Sequence, residues 1–345
     1  MAINTYQSGV ATAGNPTNVY QVPELLMAAN AVEVISKLGV KRIRMPANRN
    51  ETVSLLRAVT PEPNVNEVAE GITPATRALT FEQATKTVEE FVEAFQHSSR
   101  QAELGEIDIL MASKDRLRDL YKRTKEKNAW YEFRACNNAL YPSNAITSRT
   151  GVNAPVSLGR LRSISRLLKS NRAEYITEMS KGSLFQNTVP IEPAYVILTH
   201  TECISDYRDL PRFIERPRMG GAKEEPFMKN VIGQVEDFIV VASPEFDPYL
   251  AGGAAVGSTG MKATSSTIDV YTSLCYGKEA FGMCEVFGVG ELGEGGMSMY
   301  VHNKADKSDI ANQRRFVACR WLDAPIILNQ NWCVAYEHAV TANPV

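Results

Sequence analysis

Motifs that pair cysteines for metal binding or disulfide formation are absent from the sequence. The 345 residues include six cysteines and four histidines, but no C-x-x-C pair and no regular ligand spacing. The chain is also far longer than a disulfide-stapled miniprotein. We therefore expect free thiols in a reducing compartment and no metal site. The cysteines are Cys136, Cys203, Cys275, Cys284, Cys319 and Cys333.

The sequence has neither a large net charge nor a long hydrophobic run. Its net charge of −2 gives no argument for a nucleic-acid-binding protein. Apolar runs such as FIVVA from Phe238 are far shorter than the ~20 residues that span a bilayer. The N-terminal stretch lacks the basic and apolar regions of a signal peptide. With 44% hydrophobic and 22% charged residues, we expect a soluble, cytoplasmically folded, two-lobed protein with no membrane partner.

Local motifs of catalysis are missing as well. The sequence has no P-loop, no G-x-S-x-G elbow, no HExxH and no EF-hand loop. His200–Cys203 contains the H-x-E of zinc deaminases but lacks the P-C-x-x-C that completes their metal site. Gly288–Gly293 matches G-x-G-x-x-G, but a strand-like run follows instead of a helix that would bind pyrophosphate. We predict no catalytic, cofactor-binding or metal-binding residue and no cofactor; an enzyme site built from distant residues is left open.

The sequence does contain a strong local separation of charge. The segment from Thr60 to Asp108 holds ten acids against three bases, a local charge of −7. Prolines and a glycine occur early in it, and Leu79 to Phe95 alternates as a strand does. The pattern predicts a long acidic β-hairpin or loop. Six of its acids are candidate contact residues: Glu62, Glu67, Glu70, Glu82, Glu89 and Glu90.

A basic helix is predicted directly after the acidic segment. Ile109 to Leu140 contains no proline or glycine and carries apolar residues at helical intervals. From Lys114 to Lys127 there are seven bases and three acids, a local charge of +4. A second basic helix is predicted from Ser157 to about Met179. The candidate contact residues of the first helix are Arg116, Arg118, Lys122 and Arg123.

After Glu192 the hydrophobic pattern is typical of β-strands. The final run, Arg315–Ala339, reads as two half-apolar strands around a polar turn, and we predict that they pair as a closing hairpin. In the first of these strands, alternation puts Val317, Cys319 and Trp321 on one face. The hairpin would bring Cys319 near Cys333, with His338 on the opposite face. Because the strands do not alternate regularly with helices, we favour the α+β class.

Four stretches of the chain carry a family resemblance. They are EGITPATRALTFEQATKTVEEFVEAF (70–95), AYVILTHTECISDYRDLPRFI (194–214), DVYTSLCYGKEAFGMCEVFG (269–288) and ADKSDIANQRRFVACRWLDAPIILNQNWCVAYEHA (305–339). Their order, with a long helix after the first, resembles the major capsid proteins of tailed bacteriophages with the Hong Kong 97-like fold. The N-four-type podovirus family is the most similar. The resemblance covers about residues 39–339.

The resemblance implies an α+β, Hong Kong 97-like phage capsid fold with five segments. An N-terminal arm and short helix would occupy 1–40, and an extended β-loop 41–108. A long spine helix of the peripheral domain would occupy 109–149. An axial domain would follow over 150–312, and C-terminal strands would return to the peripheral domain over 313–345.

The resemblance also implies a structural protein rather than an enzyme. Its copies would form the pentamers and hexamers of an icosahedral virion capsid, assembled in the host cytoplasm around double-stranded DNA. Implied partners are a portal protein, scaffold or decoration proteins, and the packaged DNA through non-specific contacts. A nanocompartment shell of the same fold that encloses enzymes is one alternative, and a soluble enzyme is another.

In such a shell the extended loop of one subunit lies across its neighbour. The acids of the loop and the bases of the first helix could neutralise each other within one subunit or remain solvated. In a shell we expect them to pair between subunits, which would fix orientation more than add affinity. The basic helices could instead face the phosphate backbone of packaged DNA.

Overall fold

The computed structural model describes residues 33–46, 51–65, 67, 70–71, 73, 76–100, 109–180, 188–215, 230–257, 260–287, 297–302, 304, 309–311 and 313–342. Its helices are α1 (Ile109–Phe133), α2 (Leu158–Ser170) and α3 (Ile204–Arg208). Its strands are β1 (Lys41–Pro46), β2 (Thr52–Ala58), β3 (Phe81–Thr87), β4 (Glu89–Ser98), β5 (Ala139–Leu140), β6 (Ile176–Ser180), β7 (Thr188–His200), β8 (Phe213–Glu215), β9 (Val231–Val235), β10 (Phe238–Ser243), β11 (Tyr271–Tyr276), β12 (Phe281–Phe287), β13 (Met297–His302), β14 (Arg314–Ile327) and β15 (Cys333–His338).

The larger sheet has eight strands in the order β5-β15-β11-β7-β10-β9-β8, with β6 also paired to β7. Every residue of β10, β11 and β15 is buried, as expected for strands covered on both faces. Helix α2 packs on one face through Leu161, Ile164 and Leu168. Trp130 and Phe133, at the end of α1, pack on the other. The sheet therefore separates two apolar cores.

The smaller sheet has five strands and supports most of α1. Its order is β1-β12-β14-β13, with β4 also paired to β14. Val317, Cys319 and Trp321 of β14 point towards α1 and pack against Leu117 and Tyr121. The rings of Trp321 and Tyr121 meet edge to face with centroids 5.2 Å apart. The prediction that these three alternate residues of β14 share one face is confirmed.

The first part of the acidic segment lies within an antiparallel hairpin that begins just before it. Strands β2 and β3 pair from Thr52 opposite Thr87 to Ala58 opposite Phe81. After Val88 the chain continues directly into β4, which joins the five-stranded sheet. The predicted strand over Leu79–Phe95 is therefore two consecutive strands with partners in different sheets.

The prediction that the last two strands pair with each other is wrong. β14 pairs with β4, β12 and β13, whereas β15 pairs with β11 and β5. A short 3-10 turn, Gln330–Trp332, carries the chain from one sheet to the other. Consequently Cys319 and Cys333 lie in different sheets. The sequences of the two strands do not identify their partners, because apolar strands are compatible with several neighbours.

The helices are shorter than the sequence predicts. Helix α1 ends at Phe133, and Ala139–Leu140 form a strand beside β15. Helix α2 ends at Ser170, where the chain turns through Arg172 with a positive φ of 54°. The remainder of the predicted second helix is strand β6.

The five-segment division stays a prediction. Sheet membership crosses one of its boundaries, because β12 and β13 precede residue 312 yet pair with β14, whereas β15 lies in the eight-stranded sheet. Of the proposed N-terminal arm, residues 1–32 lie outside the described residues, and Ile35–Lys37 form one 3-10 turn.

Candidate inter-subunit contact surface

The β2–β3 hairpin is anchored at its base and exposed towards its end. At the base Val53 is 9% exposed and packs against Cys284 and Ala324 of the five-stranded sheet. Further along, Leu56 and Phe81 are 70% and 59% exposed. Large apolar side chains in one projecting element are typical of a surface that another molecule covers.

The acids of the connection between β2 and β3 are exposed. Glu62, Glu67 and Glu70 lie outside regular secondary structure. Arg77 donates a hydrogen bond to the backbone carbonyl of Glu62 at 2.8 Å and leaves the Glu62 carboxylate without an ion pair in the described part of the chain. These three carboxylates are available to a neighbouring molecule.

The acids closer to the body of the subunit are engaged differently. Glu82 forms an ion pair with Arg57, directly opposite it in the hairpin. Glu90 of β4 forms an ion pair of 2.6 Å with Arg320 of β14. Glu89 is exposed at the first position of β4. Of the predicted acids, two are therefore already paired within the subunit.

Two of the four predicted bases of α1 are also paired within the subunit, and two are not. Arg123 lies 2.7 Å from Glu245 in the loop after β10, and Arg118 lies 3.3 Å from Asp115 on the helix itself. Arg116 and Lys122 have no ion pair within the described ranges. The available positive charge of the predicted group is thus smaller than its four residues indicate.

Within one subunit, the ion pair that links the hairpin to α1 has the polarity opposite to the prediction. Lys86 of β3 lies 2.8 Å from Glu132 of α1. None of the six predicted acids pairs with a predicted base among the described residues. The structure does not bring the two predicted groups together within the chain.

Buried charges under α1 were not predicted from the sequence. Lys125 forms an ion pair with Glu285 of β12, and the register places Asp323 of β14 directly opposite Glu285. Burial raises the pKa of the Asp323 carboxyl to about 6, against its ordinary value of 3.8. An aspartate inside the apolar run WLDAPII was the available sequence signal.

A second buried carboxylate holds the start of the described chain. Glu126 of α1 accepts hydrogen bonds from the backbone N–H of Val34 at 2.9 Å and of Ile35 at 3.1 Å. Burial raises the pKa of Glu126 to about 8, although these hydrogen bonds lower it. Helix α1 therefore also anchors the segment around Ile35–Lys37.

One buried cluster has the groups of a nucleophile and its base. Ser273 Oγ lies 2.8 Å from His338 Nε2, and the Tyr207 hydroxyl donates to Ser273 at 2.8 Å. All three residues are 0% exposed, so no substrate reaches the hydroxyl. Burial lowers the pKa of His338 and keeps its ring neutral. This cluster is a hydrogen-bond network of the core.

Two other kinds of site are absent from the described residues. No group of histidine, cysteine, aspartate and glutamate residues there is arranged to hold a metal ion. None of the helices there is long and apolar enough to cross a membrane.

Comparison with solved structures identifies the fold. The chain is similar to the cyanophage Pam1 capsid chain, with a TM-score of 0.62 and 11% identity over 98% of this chain and 100% of that one. It is similar to the capsid chain of Ralstonia phage GP4, with a TM-score of 0.59 and 14% identity over 98% of this chain and 100% of that one. It is also similar to a chain from the head of Helicobacter pylori bacteriophage KHP40, with a TM-score of 0.57 and 11% identity over 96% of this chain and 98% of that one. Neither a protein-family model nor a curated protein sequence matches the chain.

These likenesses confirm the predicted fold. The chain has the α+β, Hong Kong 97-like fold of tailed-phage capsid proteins over nearly its full length. They do not single out the N-four-type podovirus family, which stays a prediction. They also do not favour the cellular nanocompartment alternative.

Proposed function

We propose that this chain is the major capsid protein of a tailed bacteriophage. Its copies form the pentamers and hexamers of an icosahedral shell that encloses the double-stranded DNA genome. The observation that carries the proposal is the likeness to phage capsid chains along nearly the whole length of both chains, as with Pam1. The same likeness favours a structural role over an enzymatic one, so we assign no catalytic residue and no cofactor.

The exposed hairpin supports this proposal. A projecting two-stranded ribbon has few neighbours of its own, and isolated ribbons are marginally stable in water. Covering Leu56 and Phe81 with a neighbouring subunit would remove apolar surface from water at roughly 25 cal/mol per Å². The extended loop of each copy would therefore lie on the next copy.

Charge would then set the register of that contact. Among the described residues, Glu62, Glu67 and Glu70 have exposed carboxylates without an ion pair, and Arg116 and Lys122 are bases without one. We place these two groups opposite each other across the contact between neighbouring subunits. Exposed pairs of this kind contribute little affinity but disfavour misaligned contacts.

The remaining partners follow from the same proposal. A phage shell has a portal, and scaffold or decoration proteins are further candidates, with assembly in the host cytoplasm. Arg162 and Lys169 of α2 are paired with Glu236 and Asp237, each at 2.6 Å. Non-specific DNA contact would therefore depend on other exposed bases, such as Arg166.

The experiment that tests the function measures the particle size of the purified protein. We expect megadalton shells by light scattering and icosahedral particles by electron microscopy. A small monomer or dimer that binds a cofactor would overturn the proposal and favour a soluble enzyme. Shells that enclose a cellular enzyme instead of DNA would favour the nanocompartment.

A charge reversal tests the contact separately. We expect the double variant Arg116→Glu, Lys122→Glu to reduce the yield of closed shells several-fold, because acids of the loop would meet acids on the helix. Arg208→Glu reverses an exposed base on α3, away from both charged groups, and serves as the control. Normal shells from the double variant would contradict the charge contact while leaving the capsid function intact.

A further inference from the structure

Cys136 and Cys333 come together where the end of α1 meets β15. Strand β5 runs parallel to β15 with Ala139 opposite Ala335. Two residues earlier, the same register would put Cys333 opposite Asn137, which follows Cys136. Ala335 N–H donates to the carbonyl of Asn138 at 2.8 Å, and the Asn138 amide donates to the carbonyl of Cys333 at 3.2 Å. The two cysteine-bearing segments are therefore fixed against each other by hydrogen bonds.

The two thiols also contact each other. Both side chains belong to one buried cluster of the core, where the interaction with Cys333 lowers the pKa of Cys136. The Cys333 thiol itself donates to the backbone carbonyls of Asn329 at 3.6 Å and Gln330 at 3.5 Å. Cys136 retains 7% exposure, whereas Cys333 has none. A favoured thiolate beside a second thiol is the arrangement of a reacting and a resolving cysteine. The other four cysteines of the described residues are also free and buried: Cys203, Cys275, Cys284 and Cys319.

We propose that Cys136 and Cys333 are a redox site that closes to a disulfide when the protein meets a peroxide. The Cys136 thiolate attacks a peroxide oxygen, the O–O bond breaks, and Cys136 becomes a sulfenic acid while hydroxide leaves. The Cys333 sulfur then attacks the Cys136 sulfur, so that the S–S bond forms and the S–O bond breaks. The oxygen departs as water with the Cys333 proton. Overall, two thiols lose two hydrogens and one hydrogen peroxide becomes two water molecules.

This bond would tie the end of α1 to an interior strand of the eight-stranded sheet. The closed loop runs from residue 136 to residue 333 and includes most of that sheet, so the constraint on the unfolded chain is large. In a reducing host cell the thiols stay reduced. After release into an oxidising medium, the bond would stabilise a subunit that has already folded and assembled. The pairing of the two cysteines stands on this chain's own contacts, whereas its timing after release rests on the proposed capsid function.

The test treats the purified assembled protein with hydrogen peroxide and blocks the remaining thiols with iodoacetamide. We expect non-reducing peptide mass spectrometry to find one peptide pair joined through Cys136 and Cys333. We also expect the melting temperature to rise by several degrees, and a thiol reductant to restore the original value. Cys136 ending as sulfinic acid without a cross-link, or a cross-link between other cysteines, would overturn the proposal.

Matched variants separate the bond from general oxidation. Cys136→Ser should abolish both the cross-link and the gain in melting temperature. Cys284→Ser removes a buried thiol of the five-stranded sheet and should leave both unchanged. If the Cys136 variant does not fold, the wild-type peptide map still decides, because it requires no substitution. An equal gain in melting temperature in the Cys136 variant would contradict the assignment.

Discussion

Single buried charges connect the spine helix to the sheet below it. Lys125 is 5% exposed, and it lies against Glu285 and next to Asp323, which is 1% exposed. One cation faces two carboxyl groups, so the site carries an excess of buried acid when both are ionised. Burial of the carboxyl is the main physical reason for the raised pKa of Asp323, and the neighbouring Glu285 carboxylate raises it further.

Asp323 should therefore make stability depend on pH. A carboxyl group whose pKa rises from 3.8 to about 6 on folding contributes stability below 3.8 and loses it as pH rises through 6. The full effect is at most about 3 kcal/mol. The Asp323→Asn side chain stays neutral at every pH. We therefore expect its melting temperature in scanning calorimetry to rise relative to that of the wild type as the pH increases from 4.5 to 7.

The comparison contains its own control. His338 has a lowered pKa, so its contribution is lost as pH falls below the ordinary value of 6.5, the opposite direction. Because both proteins contain His338, that contribution cancels in their difference. A difference in melting temperature that stays constant over this pH range would show that Asp323 is ionised throughout.

At the scale of residues, the face of a strand on which a side chain lies could be predicted, whereas the residues that it contacts could not. Alternation alone placed Val317, Cys319 and Trp321 on one face, because side-chain direction in a strand follows from sequence position. The partners of Lys125 depend on where α1 crosses β12 and β14, which no local pattern encodes. The acids and bases of the candidate site were identified, but their division into paired and unpaired residues required the fold.

Among the elements, the β2–β3 hairpin has exposed apolar residues that the subunit itself does not use. We expect the double variant Leu56→Ser, Phe81→Ser to keep the melting temperature of the subunit, because both side chains are mostly exposed. The yield of closed shells should fall several-fold, since the neighbouring copy loses the apolar surface it covers. Circular dichroism and electron microscopy measure the two effects.

A buried residue of the same hairpin serves as the control. Val53→Ser should lower the melting temperature, because Val53 packs against Cys284 and Ala324. Wild-type shell yields from the Leu56, Phe81 variant would contradict a contact through the end of the hairpin. A loss of melting temperature in that variant would instead mean that the two side chains pack within the subunit.

The lengths of elements were harder to predict than their existence. Helix α1 was predictable because apolar residues recur at helical spacing without proline or glycine from its first residue to its last. Helix α2 was predicted too long, because Arg172 adopts a left-handed conformation that the residue type does not announce. The partners of β14 and β15 could not be predicted, since apolar strands are compatible with several neighbours.

At the scale of the molecule, β15 has an unusual position for the last strand of the described chain. It lies between β5 and β11 in the eight-stranded sheet. We expect a chain that stops after Asn329 to be insoluble, because removing β15 exposes both the unpaired edge of β11 and two apolar cores. A chain that stops after Ala342 keeps β15 and should remain soluble. Centrifugation after expression measures both, and a soluble, folded shorter chain would contradict this prediction.

The interior place of β15 also has a consequence for quality control during translation. The sheet cannot close until β15, the last of the described strands, has left the ribosome, so a prematurely terminated copy would lack its core. The proposed shell, built from many identical copies, would be vulnerable to a few defective ones. Because truncated copies would lack β15 and stay unfolded, proteases would recognise and remove them before they could enter the shell.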